Sequence, residues 1–159
     1  MEKSTKERLL DAALEILGTE GGKALTVRAA EDRAGVPHGS IRHHFGGQRG
    51  LLRALFDHLA TVEAPAGGLP EAITLWLGPG RTITLARYEL FLLAARDEEL
   101  RAPLVAARDR FVAQLAPAVG EDRAPAVLAA IDGIVLDALV RGRSDPAPVV
   151  AAIARLTGV

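Results

Sequence analysis

Leu25-Thr26-Val27-Arg28-Ala29-Ala30-Glu31-Asp32-Arg33-Ala34-Gly35-Val36-Pro37-His38-Gly39-Ser40-Ile41-Arg42-His43-His44-Phe45 reads as two short helices joined at a tight turn. The Thr26 hydroxyl can accept an orphan amide of the first turn, which makes it an N-cap. Val27, Ala30 and Ala34 share one inward face at helical spacing. Gly35 stands where the chain must reverse, and glycine tolerates the positive φ needed there. Pro37 cannot continue the first helix but suits the approach to a second. That second helix carries Ile41 and Phe45 on one face and His38, Ser40, Arg42 and His43 on the other. A short helix with an apolar inner face and a donor-rich outer face suits insertion into a DNA major groove, so these four polar residues are the base-edge candidates.

The stretch resembles the helix-turn-helix of the TetR family of transcriptional regulators. The resemblance rests on Ala34-Gly35-Val36, Gly39-Ser40-Ile41, His44-Phe45-Gly46, Leu51-Leu52 and Leu55-Phe56 at that family's spacing. It is strong over about residues 4 to 58 and continues more weakly to the C-terminus. Three positions depart from the pattern. Glu31 stands where the family usually places Ala, Arg42 where Tyr is common, and Gly47-Gln48-Arg49 where Ser-Lys-Glu is common. A buried unpaired carboxylate is costly. Either Arg42 or a histidine pairs with Glu31, or the helix tilts and Glu31 reaches water.

Working outward, Ser4-Thr5-Lys6-Glu7 is a capping box that opens the first helix. Leu10, Ala13, Leu14 and Leu17 line its buried face, flanked by Leu9 and Ile16. Glu20-Gly21-Gly22 ends it, and Gly22 replaces an aromatic usual in the family, so a looser corner is expected there. After Gly46-Gly47 a fourth helix buries Leu51, Leu52, Leu55, Phe56 and Leu59. Glycine amides at a helix start can hold an anion, which makes Gln48 a phosphate candidate. Thr26, Arg28 and Lys6 join it, with Arg28 also able to reach a base.

Thr61 to Leu69 is the linker-like stretch, with Pro65, Gly67 and Gly68 expected to deny it regular structure. The expectation is therefore an all-α chain of about nine helices. Residues 1–60 would form a three-helix helix-turn-helix DNA-binding domain, and residues 61–159 a helical ligand-binding and dimerisation domain. Pro70 opens a short helix. The next, about Arg81 to Arg96, is apolar nearly all round and is expected to be central. Asp97-Glu98-Glu99 starts another, in which Pro103 introduces a kink or marks the true start. Two amphipathic helices follow, carrying Leu128, Ile131, Ile134, Val135 and Leu139, then Val149, Ile153 and Leu156. Their apolar surface exceeds what one small domain needs, which suggests a four-helix bundle with a second copy. The family resemblance implies the same homodimer. It also implies a small-molecule pocket, for which Trp76, Arg87, Tyr88 and Phe91 are the candidates, with a largely apolar effector.

Composition bounds the alternatives. The 159 residues are nearly half apolar, poor in aromatics and free of cysteine, so there is no disulfide framework and no thiolate metal site. No run of about 18 apolar residues offers a membrane span. The N-terminus lacks a signal pattern, so a cytoplasmic protein is expected. Net charge is −1, and residues 1–58 hold nine Lys and Arg against eight Asp and Glu, so any DNA-binding patch must be local. Catalytic motifs are missing: there is no HExxH and no Walker loop, and His38, His43 and His44 do not share metal-binding spacing, so His44 is expected to be a packed or hydrogen-bonded residue beneath the recognition helix. Neither a metal nor a cofactor is expected, nor is enzymatic activity. The reading is a ligand-responsive regulator, a repressor that binds a pseudo-palindromic operator in double-stranded DNA as a dimer. The alternative is a helical dimeric small-molecule-binding or partner protein whose degenerate helix-turn-helix does not bind DNA.

Overall fold

The computed structural model describes residues 3–63 and 67–158. Among these residues it is all helical, with α1 (Thr5–Glu20), α2 (Val27–Ala34), α3 (Ser40–Phe45), α4 (Gln48–Val62), α5 (Leu69–Leu77), α6 (Arg81–Arg96), α7 (Glu98–Val119), α8 (Ala124–Val140) and α9 (Ala147–Thr157). Two compact units emerge. One comprises residues 1–62 and 82–104, the other residues 63–81 and 105–159. Pro65 of the expected linker lies outside the described residues.

The first unit is built on α1. Its capping box forms as expected, with the Ser4 and Glu7 amides each donating to the other residue's side chain. Leu9, Leu10, Ala13, Leu14, Ile16 and Leu17 are buried. Arg8 reaches from α1 to the end of α2 and donates to the carbonyls of Ala34 (2.6 Å) and Gly35 (2.9 Å). That satisfies acceptors which a helix C-terminus leaves open. Arg33 of α2 returns the contact through Glu15 and Glu20 of α1. The apolar face of α4 buries Leu51, Leu52, Leu55, Phe56 and Leu59. His58 of α4 pairs with Asp11 of α1 at 2.7 Å.

Helix α6 crosses α1 at Gly18. A Cβ there would stand 2.0 Å from the Thr82 carbonyl oxygen, so only glycine permits this approach. The corner at Gly22 is occupied, not loose. Its amide donates to Glu89 Oε2 at 3.0 Å, and the side chains of Glu89 and Leu93 lie against it. Nor is α6 buried all round: Leu90 and Ala94 are buried, but Leu92 is half exposed. Helix α7 starts upstream of Pro103, capped by Asp97, whose Oδ1 accepts from the Glu99 amide.

In the second unit α5 packs on α8 and α9. Ile73, Leu77, Ile131, Val135, Val149 and Ile153 form its core. Arginines again close helix ends. Arg81 donates to the Leu139 carbonyl at the end of α8, and Arg123 to the Leu156 carbonyl at the end of α9. Arg108 of α7 meets Asp132 of α8 at 2.7 Å.

Candidate nucleic-acid interface

Helices α2 and α3 are joined by a turn with two glycines in the left-handed region, Gly35 (φ 61°) and Gly39 (φ 93°). Val36, between them, is buried beneath the turn. Thr26 caps α2 by accepting from the Ala29 amide at 3.1 Å. Helix α3 follows Gly39, which has no side chain to cap it. The acceptor comes from α2 instead: Glu31 Oε1 takes the amides of Gly39 (3.0 Å) and Ile41 (2.9 Å). Glu31 is only 2% exposed. Both expectations for this residue are therefore overturned, since it neither pairs with Arg42 or a histidine nor reaches water. Backbone amides at a helix start suit a carboxylate both as donors and through the helix dipole.

With Glu31 so occupied, the outer face of α3 is left open. Ile41 is fully buried, while Arg42, His43 and His44 are exposed. His44, expected to be packed or hydrogen-bonded beneath the helix, is exposed and stands edge-on to His43 with ring centroids 4.8 Å apart. Spacing missed it because α3 ends one residue later, leaving its flank uncovered. His38 lies in the turn and not on the helix, because α3 begins at Ser40. Its Nε2 is 2.8 Å from Asp32 Oδ1. That hydrogen bond, with smaller contributions from the His38 and Arg28 charges, holds the Asp32 carboxyl below the usual range. The Ser40 hydroxyl donates to the Pro37 carbonyl at 2.6 Å.

The phosphate candidates fall around this face. Lys6 places its ammonium 5.8 Å from the centre of the Phe45 ring, which brings the start of α1 beside the end of α3. Arg28 is exposed on α2, 3.7 Å from Asp32. Gln48 begins α4, but its side-chain amide donates to the Leu25 carbonyl at 2.8 Å, tying α4 back to the start of α2. Its next neighbour, Arg49, is drawn to Glu99 (2.6 Å) and Asp97.

Of the pocket candidates, Arg87, Tyr88 and Phe91 stand together on α6. The Arg87 guanidinium lies 5.1 Å from the Tyr88 ring centre, and Tyr88 meets Phe91 edge-on at 5.9 Å. Trp76 is a buried residue of α5, in the second unit. The dimer candidates divide by burial. Ile131, Val135, Leu139, Val149 and Ile153 are buried in the core of their own unit. Leu128 and Ile134 are half-buried, and Leu156 is 47% exposed. Leu136 and Val140, which sequence spacing passed over, are exposed apolar residues of α8. An open groove between α8 and α9, floored by Gly133, Ala130 and Ala152, runs past Ile134 and Leu156.

A capped α2, a glycine turn and a short donor-faced α3 define a helix-turn-helix protein, here with a helical C-terminal part. Residues 9–55 match the family model described as bacterial regulatory proteins, tetR family, and residues 60–159 match that described as tetracyclin repressor-like, C-terminal domain. The chain belongs to the TetR family of transcriptional regulators. Over 63 residues it is 36% identical to the tetracycline repressor protein class C of Escherichia coli, a match covering 40% of this chain and 29% of that protein. The same identity and length relate it to the uncharacterized HTH-type transcriptional regulator TtgW of Pseudomonas putida, covering 40% of this chain and 45% of that protein. The matches thus span less than half of either curated relative. Among solved structures, a TetR-family member (SCO1917) from Streptomyces coelicolor A3 is 28% identical, with 99% of this chain and 100% of that one covered and a TM-score of 0.79. The multidrug binding protein EbrR complexed with ethidium is 29% identical, with 98% and 100% covered and a TM-score of 0.75. Among the described residues no helix is long and apolar enough to cross a membrane, and no cluster of His, Asp or Glu could hold a metal ion.

Proposed function

We propose that this protein is a ligand-responsive repressor that binds a pseudo-palindromic operator in double-stranded DNA as a homodimer, acts in the cytoplasm and has no enzymatic activity. Residues 1–60 serve DNA binding, and residues 61–159 serve ligand binding and dimerisation. The observation that carries this reading is α3 itself, with Ile41 fully buried and Arg42, His43 and His44 open on the opposite side. Arg42 presents a planar five-donor fork suited to the guanine edge in a major groove. His43 is the second base reader, and His38 and Ser40 flank it. Lys6, Thr26, Arg28 and Gln48 surround the face as phosphate contacts, where they set register and not sequence.

The effector is a small, largely apolar molecule. EbrR, whose solved complexes hold ethidium, proflavin and malachite green, supports an aromatic ligand. Tyr88 and Phe91 on α6, beside Arg87, are groups suited to stack on one, and Trp76 of α5 is a further aromatic candidate. The exposed Leu156, Leu136 and Val140, with the half-buried Leu128 and Ile134, are the surface a second copy would cover. The two half-sites of the operator then lie about one helical turn, roughly 34–36 Å, apart or slightly more.

The test is selection of bound sequences from a random DNA pool, using wild type and Arg42→Ala. A palindromic motif is expected, and the variant should lose about 1–3 kcal/mol of binding at the base pair Arg42 reads. Affinity should fall steeply with salt as phosphate contacts release counterions. Absence of any enriched motif from folded dimer, with and without candidate effectors, would overturn the proposal.

A further inference from the structure

Helix α3 is six residues long and makes too few internal hydrogen bonds to hold its own direction. Its N-terminus begins at a glycine with no capping side chain. One external group grips it there. Glu31 Oε1, brought from α2, accepts both the Gly39 and the Ile41 amides, ten residues from the farther one. The same residue also ties down the turn, since its own carbonyl accepts from the Val36 amide at 3.1 Å. Glu31 is almost fully buried, so water cannot replace these bonds in place. Its neighbour Asp32 holds His38 on the outer side of the turn.

We propose that Glu31 is a positioning residue for DNA recognition: its carboxylate sets the direction of α3 and so determines which base pairs Arg42 and His43 reach. An alanine at this position, usual in the family, offers these amides no acceptor. This chain adds a two-bond clamp of fixed geometry. Base discrimination depends on donor positions within fractions of an ångström, whereas phosphate contacts tolerate shifts. Loss of the clamp therefore lowers discrimination more than overall DNA affinity. The inference rests on the DNA-binding reading above.

The experiment compares wild type, Glu31→Ala and Glu31→Gln by two measurements. The first is amide hydrogen exchange at Ile41 and Gly39 by NMR without DNA. The second is affinity for the selected operator and for a scrambled duplex of equal length. Glu31→Ala should speed Ile41 exchange and cut the operator-to-scrambled ratio, each by about tenfold or more, since a buried donor is left unpaired. Binding to scrambled DNA should change less than about threefold, because the phosphate contacts remain. Glu31→Gln keeps an acceptor oxygen in place and should stay near wild type in both. Unchanged Ile41 exchange or an unchanged ratio in Glu31→Ala would overturn the proposal. If Glu31→Ala unfolds, the wild type and Glu31→Gln decide: unprotected Gly39 and Ile41 amides in the wild type, or Ile41 protection and discrimination that change independently of each other in Glu31→Gln, overturn it. A wild type that binds no sequence selectively defeats the DNA-binding reading and the recognition role together. The exchange data still report whether the clamp exists, so a failure of that reading is told apart from a failure of the clamp.

Discussion

The turn between α2 and α3 and the pair α8–α9 are both helix–turn–helix arrangements, held by different means. Around α3 the geometry is set by hydrogen bonds to particular atoms: Thr26 caps α2, Arg8 closes its far end, and Glu31 grips the start of α3. Such bonds are directional and short-ranged, so they specify one arrangement. Along α8 and α9 the contacts are mostly those of alanine, valine, leucine and isoleucine, and α8 starts without any side-chain cap. Burial of apolar area is non-directional. It holds these helices together but leaves Leu136, Val140 and Leu156 outside. The first arrangement is complete within one chain and, Glu31 apart, turns its charged side chains outward. The second has apolar surface left over, which is the reason to expect a second copy on it.

Leu156→Lys tests that contrast with the largest effect. Lysine in the last turn of α9 is favourable to the helix dipole, so the fold should persist. Leu156 is 47% exposed, so a partner covers about half of the side chain, each copy loses about 0.7–1.5 kcal/mol of apolar burial, and two-fold symmetry doubles the loss. Sedimentation should then show monomer at concentrations where wild type is dimeric; an unchanged dimer would place the interface elsewhere. Ile153→Ala, three residues earlier on the same helix, probes the core side. It should cost about 2–5 kcal/mol in denaturant unfolding without direct loss of a partner contact. A cost well under that range would mean α9 is not core, and the division between its two faces would collapse.

A smaller effect sharpens the other side of the comparison. Burial pushes the Asp11 carboxyl up, and hydrogen bonds from Lys3 and His58 with their charges outweigh it, holding it below the usual aspartate range. Because the folded pKa is lowered, the stabilisation is complete above the ordinary aspartate pKa near ~4 and is lost as pH falls through the folded value. Thermal unfolding of wild type and Asp11→Asn, followed from neutral pH down to roughly pH 2, should show a gap that closes only at the acid end. The gap should be modest, since the pair is partly solvated. A gap that widens toward low pH would contradict the assigned sign.

Much of the first unit was legible because its determinants are local. The Ser4 capping box, the Thr26 cap, the Gly35 turn and the buried face of α4 all depend on residues within about one helical turn of each other. His44 escaped because a helix of six residues cannot cover its own flanks. The α8–α9 faces were less legible for another reason. When almost every position is apolar, periodicity no longer singles out one inward side, and it does not separate the buried Ile131 and Ile153 from the exposed Leu136 and Leu156.

The sequence by itself determined that the chain is helical and where the helix-turn-helix lies, since caps, glycines and apolar spacing act over a few residues; it left the first residue of α3 and of α7 to the structure. Only the tertiary structure decided what meets Glu31, what fills the corner at Gly22 and which side of α9 is covered. Those partners lie as far as 67 residues away in the chain, as Glu89 does from Gly22, and only the packing of whole helices brings their atoms within reach.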